Sequence, residues 1–355
     1  MNRPQRSAQP IRVLIVAKSP ADREQLTRLF RSDGSFEVVG TASRGEEALS
    51  RLSSLKPQVM TIDLRLPDID GIELTRRVMS EHPTPIVVLT ENFEPDTTGF
   101  RALEVGALAV MRKPWGAPNP AAEEQALIRT VRSMAEVRLV RRYARRASGP
   151  TPEPARSPAP LAGRRPRVVA VGVSTGGPQT LQDIFTRLPS TFPLPILVVQ
   201  HMADGFITHM VDWLATQCSL PVVLAEQNAP LDAPGIYVGP SGRHLTVSGG
   251  RILLADGPAI DGHKPSATVL FRSVVREFGA DAVGVLLTGM GEDGAAGLME
   301  MKKVGAVTIA QDEASSVIFG MPAAAIARGA ADMVLPPPLI AQNLIRLGER
   351  NTSTR

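Results

Sequence analysis

Residues Val168 to Leu181 read VVAVGVSTGGPQTL. Six uncharged, mostly β-branched positions run into Ser174, Thr175, Gly176, Gly177 and Pro178, after which a helix start is expected. A buried strand that turns through glycine into a helix is the repeating unit of a doubly wound α/β sheet, and the stretch predicts one. Such a corner can cradle a phosphate, hold up a nucleophile, or only turn the chain. A phosphate loop of the G-x-x-x-x-G-K-[ST] type needs a lysine that is absent here, and the second glycine of G-x-G-x-x-G would fall on Ser174. Backbone N–H groups at the helix start still suit an oxyanion as readily as a phosphate.

Working outward, strand-like runs alternate with helical patterns over residues 166–348: RVVAVGV, PILVVQ, PVVLAE, AVGVLLTG, GAVTIAQ and ADMVLP. The segment GIYVGPSGRHLTVSGGRILLA, with turns at Pro-Ser-Gly and Ser-Gly-Gly, is expected to be a small antiparallel insertion. Ser174 follows the first run, His201 follows ILVVQ, and Asp293 lies just beyond VGVLLTGMGE. Parallel strands bring their carboxyl ends to one edge, where these three supply a nucleophile, a base and an orienting carboxylate. Taken singly, Ser174 is also a good helix cap, His201 an ordinary loop histidine and Asp293 a turn residue. Their shared placement at strand ends favours the site.

At roughly 150 residues per domain, a chain of 355 residues is expected to hold two globular units. Cys218 is the single cysteine, so no intrachain disulfide forms and a reducing compartment is expected. The start MNRPQRSAQP lacks a signal-peptide core, and no run reaches the roughly 20 apolar residues of a membrane span. A cytoplasmic protein without membrane insertion is the expectation. Between Arg129 and Arg167 eleven arginines face two glutamates, a net of +9 in a chain whose total is +4, so the remainder carries −5. This basic stretch begins as an expected helix from Ala121 to about Arg146. It continues into ASGPTPEPARSPAPLAGRRP, whose prolines and small residues supply no core. Residues 119–165 therefore form an expected linker, a solvated tether with no role in nucleic-acid binding, since only Tyr143 interleaves the arginines.

Ahead of the linker, IRVLIVAK, FEVVGTAS, VMTIDL, PIVVLT and ALAVMRKP predict five parallel strands separated by helices. Asp63, Thr90 and Lys113 fall at the carboxyl edge of that sheet. A carboxylate, a hydroxyl and an ammonium brought together there can accept and hold a phosphoryl group. With DLRLPDIDG and RKP, residues 11–118 resemble a response-regulator receiver domain of flavodoxin-like fold, preceded by a tail over 1–10. The resemblance implies Asp63 as phospho-acceptor with Thr90 and Lys113 as its partners. Receivers end their first strand with an acidic pair that binds magnesium, and here Ala17 and Lys18 stand in those places; the usual aromatic switch residue is Val110. Lys18 is expected to pair with Asp63, leaving a receiver that is phosphorylated poorly or not at all; the alternative is that Lys18 points to solvent and Asp63 still reacts through an unusual ion site.

VGVSTGGP, VVQHM, GHKPSATVLFRS, LLTGMGEDGA and TIAQDEASSVIFGMP look like the catalytic domain of the chemotaxis protein-glutamate methylesterase (CheB) family, covering 166–348 before a short tail at 349–355. The resemblance implies a serine hydrolase that demethylates glutamates on the cytoplasmic helices of methyl-accepting chemoreceptors, in many members also deamidating glutamines, with a chemotaxis histidine kinase as partner. It carries Ser174 over as nucleophile, His201 as general base, Asp293 as its orienting partner and the backbone N–H of Met290 as an oxyanion donor. His263 and Lys264 are placed near the cleft without a role. No catalytic cofactor or metal is expected, because His and Cys are not clustered as zinc ligands. Gly176 and Gly177 are expected to leave room for the approaching receptor helix. A catalytically silent scaffold and a DNA-binding response regulator are the other classes. The intact triad weighs against the first, and the strand–helix alternation after the linker weighs against the second.

Overall fold

The apolar runs of the first half form β1 (Ile11–Val16), β2 (Phe36–Ala42), β3 (Val59–Asp63), β4 (Ile86–Thr90) and β5 (Ala109–Arg112). They hydrogen-bond in the order β2-β1-β3-β4-β5, and each pair is parallel. Parallel neighbours need crossovers, which α1 (Pro20–Asp33), α2 (Gly45–Leu55), α3 (Gly71–Glu81) and α4 (Thr98–Glu104) supply. The computed structural model describes residues 9–91, 98–115, 119–135, 137, 165–202 and 206–352.

One boundary moves. Helix α5 (Pro120–Ala135) buries Leu127, Ile128, Val131 and Met134 and packs on β3, β4 and β5. Its apolar stripe makes it the last layer of the first unit and not the opening of a linker. The expected tether that follows lies outside the described residues, apart from the isolated 137 and the run-in at 165.

The second half, a separate unit, alternates β6 (Val168–Val173), α6 (Gly177–Phe185), β7 (Ile196–Gln200), α7 (Phe206–Gln217), β8 (Val222–Leu224) and β9 (Ile236–Val238). It then forms a two-stranded antiparallel hairpin, β10 (His244–Ser248) and β11 (Arg251–Ala255). Helix α8 (Ala267–Phe278) leads into β12 (Ala282–Leu286), α9 (Ala295–Lys303), β13 (Val307–Gln311), α10 (Met321–Ala327), β14 (Met333–Leu335) and α11 (Pro337–Thr352). The sheet order is β14-β13-β12-β6-β7-β9-β8, parallel throughout. Ile236–Val238, expected in the antiparallel insertion, instead pairs in parallel with β7 and β8. The insertion is therefore only the hairpin. Helix α11 continues through residues expected as a tail.

This order fixes the functional edge. From β6 the chain builds outward on one side through β7, and on the other through β12, so the switch point lies at the carboxyl ends of β6 and its two neighbours. Gly172 near the end of β6 lets α8 come close: a Cβ there would lie 2.6 Å from the Ala267 Cβ and 2.9 Å from Leu286 Cδ1. The close approach delivers the N-terminus of α8 to the switch point.

Candidate active site

Ser174 stands one residue past β6, almost buried at 8% exposure. Its backbone is held on both sides: its N–H donates to the Thr288 carbonyl at 2.9 Å, and its carbonyl accepts from Gly177 N–H at 2.9 Å and from Gln200 Nε2 at 2.8 Å. Helix α6 is capped by Gly176 at φ 78°, so the serine side chain does no capping. The ordinary cap role is thereby removed.

His201 follows β7 directly, and its N–H donates to the carbonyl of Val173, the residue before the serine, at 3.0 Å. Its Nε2 lies 2.8 Å from Asp293 Oδ2. Asp293 is fully buried in a nest of donors. Oδ1 accepts from Ser266 Oγ (2.7 Å), Thr268 N–H (3.1 Å) and Gly294 N–H (2.9 Å), while Oδ2 accepts from Ala267 N–H at 2.7 Å as well as from His201. Most of these are first-turn groups of α8, the end at which a helix favours negative charge. Burial alone would raise the Asp293 carboxyl, but His201, Ser266 and Ala267 outweigh it and hold the group well below the ordinary carboxylate range. An ionised Asp293 requires a proton on His201 Nε2, which leaves the lone pair on Nδ1. Nδ1 is buried and makes no hydrogen bond. It is the one ring nitrogen left for Ser174.

The turn after β12 completes the edge. Thr288 N–H donates to Gln311 Oε1 at 2.8 Å, and Thr288 Oγ1 donates to the Thr175 carbonyl at 2.9 Å. Gly289 donates to Ile318 and accepts from Gly320 and Met321. A Cβ on Gly289 would lie 2.6 Å from the Ser174 Cβ, so the peptide leading into Met290 runs against the serine. The Met290 residue is 48% exposed.

Internal packing requires glycine at 176 and 177. Both are buried. A Cβ on Gly177 would collide with the Gln200 side-chain oxygen, and one on Gly176 would lie 2.5 Å from Val317 Cβ. Their missing side chains make room for the protein's own Gln200 and Val317. Gln200 is a site residue that sequence reasoning missed, since its amide ties the carbonyls of Ser174 and His201 together. A buried glutamine ending an apolar strand was the available signal. Ser266, in the quoted GHKPSATVLFRS motif, was the other.

At the receiver edge, Asp63 ends β3 with Lys113 Nζ 3.1 Å away. The Lys18 pairing does not occur: Lys18 is exposed, and only its backbone N–H reaches Asp63 Oδ2, at 3.2 Å. Helix α1 instead brings a second carboxylate to Lys113, because its Ser19 cap sets Asp22 in the first turn, 2.5 Å from Lys113 Nζ. Trp115 Nε1 donates to the other Asp22 oxygen at 2.9 Å. Glu91, mostly exposed, touches the same ammonium at 3.4 Å. Thr90 closes β4, and its carbonyl accepts from Lys113 N–H at 2.9 Å. Burial raises the Asp63 carboxyl to about 6 against the pull of Lys113. Val110 sits in β5 beside Val88. The residues present do not fit magnesium: Ala17 and Lys18 offer no carboxylate, the Lys113 ammonium bridges Asp22 and Asp63, and no group of three or more His, Cys, Asp or Glu among the described residues is placed to hold a metal.

No helix among the described residues is long and apolar enough to cross a membrane. The model of the CheB methylesterase family matches residues 169–344, and that of the response regulator receiver domain matches 13–121. The chain is 46% identical over 351 residues to protein-glutamate methylesterase/protein-glutamine glutaminase 1 of Syntrophus aciditrophicus, covering 95% of this chain and 98% of that one. It is 42% identical to the fourth such protein of Myxococcus xanthus, over 94% of this chain and 96% of that one. Among solved structures, the CheB methylesterase catalytic domain of Thermotoga maritima superposes with a TM-score of 0.50 at 35% identity, covering 51% of this chain and 98% of that one. With a receiver-like sheet ahead of a seven-stranded sheet that carries Ser174, His201 and Asp293 at its switch point, the chain belongs to the CheB methylesterase family.

Proposed function

We propose that the chain hydrolyses glutamate methyl esters on the cytoplasmic helices of chemoreceptors, and deamidates receptor glutamines at the same site. The observation that carries the reading is His201, its tautomer set by Asp293 and its buried Nδ1 unbonded, on the strand end beside Ser174. Nδ1 takes the Ser174 proton as Oγ attacks the ester carbonyl, and the oxyanion is met by backbone N–H groups at the turn, Met290 among them. The Nδ1 proton passes to the departing methoxide and methanol leaves. Water then gives a proton to Nδ1 and attacks the acyl-serine, freeing glutamate and restoring the serine. With a glutamine the leaving group is ammonia. The name shared by the relatives, methylesterase and glutaminase, supports both reactions. The test is incubation of the full chain with membranes bearing methylated chemoreceptors. Methanol release is expected, with ammonia from receptors bearing glutamine. Neither product would leave the silent scaffold as the reading.

The receiver site supports regulation that does not run through ordinary phosphorylation. Asp22, its other oxygen held by Trp115, holds the ammonium that an acyl phosphate would need, and the acidic pair is absent. Docking, or a partner protein such as the chemotaxis kinase, then sets the activity. Acetyl phosphate with magnesium is expected to leave little or no phosphoryl adduct by intact mass, and Ala17→Asp with Lys18→Asp is expected to gain magnesium binding. An adduct at Asp63 matching that of an ordinary receiver would overturn this assignment.

A further inference from the structure

The imidazole of His263 lies flat on that of His201, ring centroids 3.8 Å apart and planes within 3°. The catalytic scheme leaves His263 unused, yet the chain invests in placing it. Ile260 and His263 exchange both backbone hydrogen bonds, at 3.1 and 2.9 Å, across Asp261 and Gly262, which both have positive φ. That is a two-residue turn of fixed geometry. Three residues further on, Ser266 caps α8 and donates to Asp293. The Ser266 N–H is held in turn by Nδ1 of buried His244, at 3.2 Å, whose Nε2 lies 3.0 Å from the Pro258 carbonyl. One strap thus presents Asp293 with a donor and His201 with an aromatic face.

The geometry explains why a face is needed. The bond from His201 Nε2 to Asp293 fixes one point of the ring, and rotation about that line swings Nδ1. No hydrogen bond at Nδ1 opposes the swing. A parallel ring in contact does, because any tilt forces the two faces together or apart. We propose that His263 is a positioning residue for the hydrolytic reaction: stacked on His201, it holds the plane of the base so that the Nδ1 lone pair stays directed at the serine proton, and it offers a π face to the imidazolium that forms. Burial and the neighbouring His201 lower the His263 titration, against the pull of Asp293 and Asp261, so its ring is the neutral partner that a cation prefers.

The inference rests on the proposed esterase reading, and its test separates the two. In the full-length protein, His263→Ala is expected to lower kcat by about 10²-fold with KM little changed, the size of loss that a misdirected reacting group produces. His263→Phe, which keeps a face and cannot exchange a proton, is expected to stay within about fivefold of the wild-type kcat. Proton NMR of the histidine rings reads the contact without turnover. The ring-current displacement of the His201 signals is expected to vanish in His263→Ala and persist in His263→Phe, while the Nε2–H resonance hydrogen-bonded to Asp293 survives in both. Wild-type kcat in His263→Ala would overturn the proposal. So would His263→Phe as slow as His263→Ala despite a persisting ring-current displacement, or loss of the Nε2–H resonance in His263→Ala, which would make His263 a support for the Asp293 pair. An inactive wild type with the NMR contact intact would count against the esterase reading and leave the stack standing.

Discussion

Ser174→Ala is expected to lower methanol release from methylated chemoreceptors by about 10⁶ in turnover, the scale on which removal of a triad nucleophile acts. The protein should remain folded. All that is lost is Oγ, since the bonds that position residue 174 run through its backbone to Thr288, Gly177 and Gln200. The Cβ that packs near Gly289 also stays. Matched thermal unfolding of variant and wild type, with the collapse of the rate, assigns the loss to chemistry. A variant that keeps a near-normal rate would remove Ser174 from the reaction.

Asp293→Asn is expected to cost about 10⁴ in turnover, because an amide selects the wrong imidazole tautomer. The structure shows why no rotamer escapes. Five donors surround the two carboxylate oxygens: His201 Nε2–H and Ala267 N–H on one, Ser266 Oγ–H, Thr268 N–H and Gly294 N–H on the other. An NH₂ facing His201 turns Nε2 into an acceptor, moves the ring proton to Nδ1 and deletes the base. The opposite flip sets NH₂ against Thr268 and Gly294, at a cost of about 1–3 kcal/mol for each buried donor left unmatched. Reduced stability should therefore accompany the reduced rate. EDTA should leave the wild-type rate unchanged, since both Asp293 oxygens are committed to N–H and O–H donors. Loss of activity in EDTA with recovery on added zinc would contradict the assignment.

Much of this was legible in the sequence because strand ends carry the chemistry. Apolar runs closed by Ser174, His201 and Asp293 need only the rule that parallel strands share a functional edge, and the sheet order places their ends together. What escaped depends on packing. Ile236–Val238 looks like part of a hairpin meander, yet a three-residue strand has no pattern of its own and takes its direction from its neighbours. Gly176 and Gly177 face inward for a reason visible only once Gln200 and Val317 are in place. Lys18 follows β1, which suggested contact with Asp63, but its side chain turns to solvent while Asp22, one helical turn on, reaches Lys113 instead. Which imidazole nitrogen meets the carboxylate is likewise a matter of loop course: Ser266 and the start of α8 fix Asp293 where Nε2 arrives first.

The central claim is that Ser174 is the nucleophile, activated by a His201 whose tautomer Asp293 sets. Labelling of the full-length protein with a fluorophosphonate, followed by peptide mass mapping and assay of residual esterase activity, tests it most directly. The predicted result is a single phosphonyl group on Ser174, activity lost in proportion to labelling, and labelling much slowed in Asp293→Asn. An enzyme that hydrolyses receptor methyl esters while Ser174 stays unmodified, or that keeps its activity with Ser174 fully labelled, would contradict it.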